Sequence, residues 1–198
     1  MPLISLQLYS LDIIIILIYS GVPFGEVSIV KNWLNIRGEV KKPKHEHPKK
    51  PIEGIQGCRR TEVSGKRFWN FIKSRVQSPE SFSKNCIVYN HCPLIFMGKT
   101  GKNITPPDMK KIELRKNLFQ HCDDALKKVI ELYDIRHIVC LGRLAESRAK
   151  KVIKDNQICH VQVHFLIHPS PASPAANRGW NDLAMASLIQ AGIIDLIK

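Results

Sequence analysis

The sequence predicts an α/β fold in three layers, a short central parallel sheet sandwiched between helices, and two observations carry that prediction. Short apolar runs rich in β-branched residues recur at Cys86–Tyr89, Ile138–Leu141 and Val161–Ile167. Between them apolar residues return at helical spacing, as Leu114, Leu118, Cys122, Leu126, Val129 and Ile130 do. Strands that alternate with helices pair in parallel, because the crossover helix carries the chain back to start the next strand in the same direction. The 198 residues, 44% of them apolar, suffice for one domain with a buried core.

Residues 1–20 form an atypical apolar amino terminus, read as a first strand or as a non-native segment, ahead of a single domain over residues 21–198. Leu11–Tyr19 is the most apolar stretch, and its consecutive isoleucines, Ile13 to Ile16, favour a strand buried on both faces. Membrane spanning takes about 20 apolar residues, and Ser10 and Asp12 interrupt this run, so an anchor is the weakest reading of it. No basic residue precedes the run and no Ala-x-Ala-like site follows, which argues against a secretory signal.

Further along, Ser64 is placed to cap a helix whose apolar face is Phe68, Trp69, Ile72 and Val76. Pro106-Pro107-Asp108 opens the long helix, and another begins after Gly142 with Leu144, Ala145, Ala149 and Val152 inward. The last helix is expected from Gly179 or Trp180 toward Gln190, with Gly192 just past its end. The lysine-rich stretch from Lys41 to Lys50 reads as a solvated loop, suited to phosphate contact or to a nuclear address.

Thirty lysines and arginines against 17 acids leave a charge of +13, with a pI near 9.6. Such a surplus points to a polyanion, nucleic acid or an acidic membrane surface. The six cysteines contain no CxxC pair, and Cys140 sits in an apolar run as a small hydrophobe would, so a reducing compartment is the natural reading. His45, His47, His91, Cys92, His121 and Cys122 fall in no common metal-ligand spacing, and neither metal nor cofactor is expected.

The strongest candidate for chemistry is His168, where the apolar run Val161–Ile167 gives way to Pro169-Ser170-Pro171. Open α/β sheets bind ligands at the carboxyl ends of their strands, and prolines make the following loop stiff and slim. Taken alone, the same residues fit a proline-rich surface turn equally well.

Gly21-Val22-Pro23-Phe24-Gly25-Glu26-Val27, Glu62 to Trp69, Asn90-His91-Cys92-Pro93-Leu94, Gly142-Arg143-Leu144-Ala145-Glu146 and His168 to Pro171 through Gly179-Trp180 follow one another in a familiar order. From about Gly21 to the carboxyl end, the chain resembles the single-strand-selective monofunctional uracil-DNA glycosylases. The resemblance implies the uracil-DNA glycosylase fold. It also implies excision of uracil and related oxidised uracils from single- and double-stranded DNA in base-excision repair, by a monomer in the nucleus.

The resemblance further gives roles to residues. His168 matches the histidine that donates to uracil O2 as the leaving base gains negative charge. Asn90, at a strand end, offers an acceptor to N3–H and a donor to O4, whereas cytosine presents the opposite polarity; read alone it is a strand-capping amide. Phe24 matches the aromatic platform under the extruded base, though by itself it reads as core. The loop and helix start from Thr100 to Leu114, with Gly101 and Asn103, would meet DNA, and Lys99, Lys102 and Arg178 would supply charge to phosphate. Pro171, Ala172, Ser173 and Pro174 would form the wedge that fills the gap left by the base.

Upstream of Gly21 the chain departs from the family. The family's Gly-Met-Asn-Pro-Gly-Pro-Phe-Gly loop, whose asparagine positions the attacking water, has no counterpart, and the first asparagine is Asn32. Losing a water-positioning group is expected to cost about two to four powers of ten in rate without abolishing base recognition. Two readings follow: a uracil-DNA glycosylase whose native amino-terminal sequence is replaced, with impaired activity as written, or a non-catalytic binder of uracil or single-stranded DNA.

The wedge is slight, with Ala172 and Ala175 where family members carry longer polar side chains. Gap filling in a duplex is therefore weakened, and uracil in single strands should be bound or excised far better than uracil in duplex. Equal affinities in a titration of the two forms would count against this.

Overall fold

The protein is described by a computed structural model over residues 5–10, 22, 24–38, 44, 46–50, 57–58 and 61–197. Strand β1 (Ser5–Ser10) is followed by helices α1 (Val27–Asn32), α2 (Val63–Lys73) and α3 (Pro79–Asn85). Then come β2 (Cys86–Asn90), a small hairpin of β3 (Phe96–Met97) and β4 (Asn103–Ile104), and the long helix α4 (Ile112–Leu132). Strand β5 (Ile135–Leu141), helix α5 (Arg143–Asp155), strand β6 (Gln162–Leu166) and helix α6 (Pro174–Gln190) complete the order.

Four strands form one parallel sheet in the order β2-β1-β5-β6. Side chains alternate across a strand, and β5 shows the consequence. Val139 and Leu141 enter a core with Phe68, Phe71 and Ile72 of α2 and Ala184 and Leu188 of α6. Ile138 and Cys140 face the other way, against Leu126 and Ile130 of α4 and Ala145, Ala149 and Val152 of α5. Helices thus cover both faces, as the three-layer expectation requires.

The first strand lies ahead of the isoleucine run, at Ser5–Ser10, while residues 11–20, including Ile13–Ile18, fall outside the described residues. Its register, with Ser10 opposite both Asn90 and Leu141, brings three strand ends level. Three other expectations shift. The cap of α2 is Glu62, whose carboxylate accepts from the Ser64 and Gly65 amides; Ser64 is already inside the helix. Pro106–Asp108 closes as a separate 3-10 turn, because Met109 after it is extended at φ −67° and ψ 119°, and α4 starts at Ile112. The last helix begins at Pro174 behind a Ser173 cap, and Gly179, at φ 150° and ψ 71°, interrupts it just before Trp180. Within the Lys41–Lys50 stretch, His47–Lys50 forms a tight turn closed by a 2.8 Å hydrogen bond from the Lys50 amide.

Three histidines are held in the neutral form by the fold. His137 Nδ1 and His164 Nε2 lie 3.1 Å apart across β5 and β6, and burial lowers the pKa of both. His91 is fully buried, and that burial outweighs the raising effect of Asp123 2.8 Å away. With folded pKa values below the unfolded value of about 6.5, the unfolded chain binds protons first as pH falls. The stability is fully present above that value and is lost below it. The urea midpoint should therefore drop between pH 7.5 and pH 5.5; a level or rising midpoint would contradict the assignment.

Candidate active site at the carboxyl edge of the sheet

Because the four strands run the same way, the loops that leave them gather at one edge. Asn90 ends β2 on one side, and His168 stands just beyond the end of β6 on the other. Three strand spacings of roughly 4.8 Å separate those strands, a gap of about 14 Å. Between them the chain leaves β1 after Ser10, and Gly142 follows β5. Gly142 has a φ of 96°, a conformation that favours glycine, and a Cβ there would lie 3.6 Å from that of His168.

His168 Nδ1 accepts the Ser170 amide at 3.1 Å, which in the neutral ring assigns the proton to Nε2. The loop behind it is held from two helices. Arg67 of α2 donates to Pro169 O at 3.1 Å and to Asn177 Oδ1 at 2.8 Å. Asn177 Nδ2 in turn donates to Pro171 O at 2.8 Å, and Trp180 Nε1 to Ile167 O at 2.7 Å. Arg67, Asn177 and Trp180 stand within recognised segments, yet the sequence assigned them no task, because their partners lie up to 110 residues away. Pro171 and Ala172 are exposed at the turn, Ser173 caps α6 with Pro174 at its first position, and Arg178 projects from α6 into solvent.

Phe24 has no exposed surface and takes a left-handed φ of 54°, strained for a residue with a Cβ. Its ring stacks on Phe68 at 4.6 Å and lies 5.9 Å from the His168 ring at 34°. The Phe24 carbonyl accepts the Glu26 amide at 2.7 Å, and Glu26, itself buried, caps α1 by accepting from the Ile29 amide at 3.0 Å. Gly65 makes this approach feasible, since a Cβ there would sit 2.3 Å from the Phe24 oxygen and 2.6 Å from Glu62 Oε2. Burial raises the Glu62 pKa against the pull of the two amides it caps.

Asn90 is buried, and its Oδ1 has no hydrogen-bond partner among the described residues. The backbone beyond it is anchored hard. His91 and Arg148 both bond to Asp123, Arg148 through two nitrogens, and the Arg148 guanidinium lies 4.5 Å from the Phe119 ring centre. The neighbouring Cys92 thiol is lowered to about 7 by its hydrogen bond with Cys122, whose own thiol is pushed up.

Phe24 and His168 therefore meet, and Asn90 shares their edge. Lys99, Thr100, Gly101, Lys102 and Asn103 lie apart, on the β3–β4 hairpin, where Gly98 and Lys102 close the turn with a 2.8 Å bond and Gly101 takes a φ of 80°. Among the described residues no cluster of histidine, cysteine, aspartate and glutamate could hold a metal.

A family model described as the uracil DNA glycosylase superfamily matches residues 19–186, a span that holds Phe24, Asn90 and His168. The chain belongs to the uracil DNA glycosylase superfamily. It is 43% identical over 178 residues to a rat (Rattus norvegicus) protein named single-strand selective monofunctional uracil-DNA glycosylase, covering 90% of this chain and 63% of that one. A bovine (Bos taurus) protein of the same name is also 43% identical, with 64% of its length covered. The chain thus spans less than two thirds of the length of these relatives. The crystal structure of wild-type Pedobacter heparinus SMUG2 shares the superfamily fold at a TM-score of 0.62 and 18% identity, covering 97% of this chain and 76% of that one.

The tight contact under Phe24 is testable. Gly65→Ala drives a Cβ into a backbone carbonyl and should cost about 1–3 kcal/mol, lowering Tm by roughly 3–10 °C. Gly38→Ala, where a Cβ meets nothing within 4 Å, serves as the control and should leave Tm near the parent value. Equal melting of the two variants would refute the close approach.

Proposed function

We propose that this protein is a uracil-DNA N-glycosylase acting on uracil in DNA, with single strands preferred. The buried Asn90 Oδ1, without a partner among the described residues, is the observation that carries the reading. Leaving such an acceptor unpaired costs about 1–3 kcal/mol, which uracil N3–H recovers on entry while Asn90 Nδ2 donates to O4. Cytosine brings an acceptor and a donor to the wrong positions and leaves both sides unpaired.

Hydrolysis breaks the bond between C1′ and uracil N1, adds water at C1′ and releases the base as an anion that then takes a proton. His168 Nε2–H donates to O2 as charge develops there, and the Ser170 amide and the Arg67 brace keep the ring in place. Phe24 offers its ring to the base, a stack worth about 1–3 kcal/mol. Phe24 is closed to solvent, so a base reaches it only by displacing what covers it. Lys99 to Asn103, Pro171 to Pro174 and Arg178 are assigned to DNA contact. Nuclear location, action as a monomer and tolerance of oxidised uracils belong to the same reading, the first of them supported by the lysine-rich Lys41–Lys50 stretch.

A non-catalytic binder is the second reading, favoured by the lack of any asparagine before Asn32 to position water. Uracil release from a single-stranded oligonucleotide decides between the two. Release slower than that of the relatives, and reduced a further 10²- to 10³-fold by His168→Leu, is the expected result. Excision unchanged in His168→Leu removes that residue from the mechanism. Uracil-selective binding with no release selects the binder.

A further inference from the structure

Outside the site at the sheet edge, a cavity of about 760 Å3 opens between the β3–β4 hairpin and the start of α4. Its floor is apolar, formed by Phe96, Met97, Ile104, Met109 and Leu114, and Leu114 is left 52% exposed by the described residues. Lys102, Lys110 and Lys111 rim it, all exposed and none paired with a carboxylate among the described residues. Asp108, the carboxylate at the cavity, is engaged with the Thr105 hydroxyl at 2.5 Å.

The basic stretch that the sequence marks as suited to phosphate contact lies beside this rim. A Cβ on Gly101 would lie 3.3 Å from His47 Cε1 and 3.3 Å from Lys50 Cγ, so the His47–Lys50 turn packs on the hairpin and adds Lys49 and Lys50 to Lys99 and Lys102. An apolar floor containing an aromatic ring, inside a ring of unpaired lysines, matches a nucleotide: the base takes the floor and the phosphates take the rim.

We propose that this cavity is a second nucleotide subsite, which takes an unpaired base of the same single strand a few nucleotides from the uracil. The inference rests on the uracil-DNA reading above. Ile95, at the cavity mouth, is five residues beyond Asn90, a reach of at most about 18 Å for extended chain. At about 3.4 Å per stacked nucleotide that distance corresponds to no more than about five nucleotides. The subsite gives single strands an advantage that a duplex, with its bases paired, cannot share.

The test uses single-stranded 12-mers with one deoxyuridine and one 4-thiothymidine placed one to five nucleotides away on either side, with cross-links mapped by mass spectrometry. Cross-links to peptides holding Phe96 or Met109 are expected from positions on one side only. Affinity for the 12-mer should exceed that for a uracil trinucleotide about tenfold, and Met109→Trp, which fills the cavity, should collapse that ratio toward one. Cross-links confined to Pro171–Pro174 and Arg178, or a ratio that survives Met109→Trp, overturn the subsite. A thymidine 12-mer without uracil separates the two proposals. Cavity cross-links without uracil preference or release keep the subsite and sink the glycosylase, whereas uracil release without cavity cross-links does the reverse.

Discussion

The parallel alignment of β1, β2, β5 and β6 is the constraint on which the rest of this molecule depends. With every strand running the same way, the residues that follow each one are delivered to a single edge, and the residues that precede them to the other. Asn90 ends one outer strand and His168 follows the opposite one, leaving a gap of about 14 Å whose centre lies between the ends of β1 and β5. Helices on both faces make that edge rigid, so polar groups at it are held by the core behind them and do not relax toward partners of their own.

That rigidity carries a cost in stability. A buried Asn90 oxygen without a partner among the described residues and a left-handed Phe24 each disfavour the fold by about 1–3 kcal/mol, against a net stability of order 5–15 kcal/mol. The compensation is local and redundant. Glu62 and Glu26 cap the helices on either side of Phe24, Gly65 leaves room for its carbonyl, and Asp123 ties His91 and Arg148 together directly beyond Asn90. Arg67 and Asn177 do the same for the loop after His168. Strained or unsatisfied groups ringed by over-determined ones are the mark of a functional surface.

Much of this was legible in the residues. The strands at Cys86–Asn90, Ile135–Leu141 and Gln162–Leu166 show as short runs rich in apolar residues, and the motif order put Phe24, Asn90 and His168 forward as candidates. What stayed hidden is what depends on distant partners. Strand β1 has leucines at alternate positions only, and its place is set by register with Cys86–Asn90 and Ile135–Leu141, so the denser isoleucine run after it drew attention away. A capping serine at Ser64 and a capping glutamate at Glu62 look alike until the helix start is known. Nothing local in Arg67 tells that its guanidinium reaches Pro169, and the two-residue strands of the hairpin are too short to show a period.

Binding and turnover draw on different parts of this edge. Under the function proposed above, the Asn90 amide and the Phe24 ring engage uracil equally well before and during bond cleavage, so they lower the energy of the ground state and the transition state alike and raise affinity more than rate. His168 differs, because an N–H aimed at O2 gains strength only as negative charge grows there. On that reading the attacking water is the remaining requirement, and β1 ends at Ser10, level with Asn90 and Leu141. A side chain able to hold water at that point would convert recognition into fast hydrolysis. On the proposed reading His168 acts on the leaving base and not on the nucleophile, so the two requirements fall to different groups.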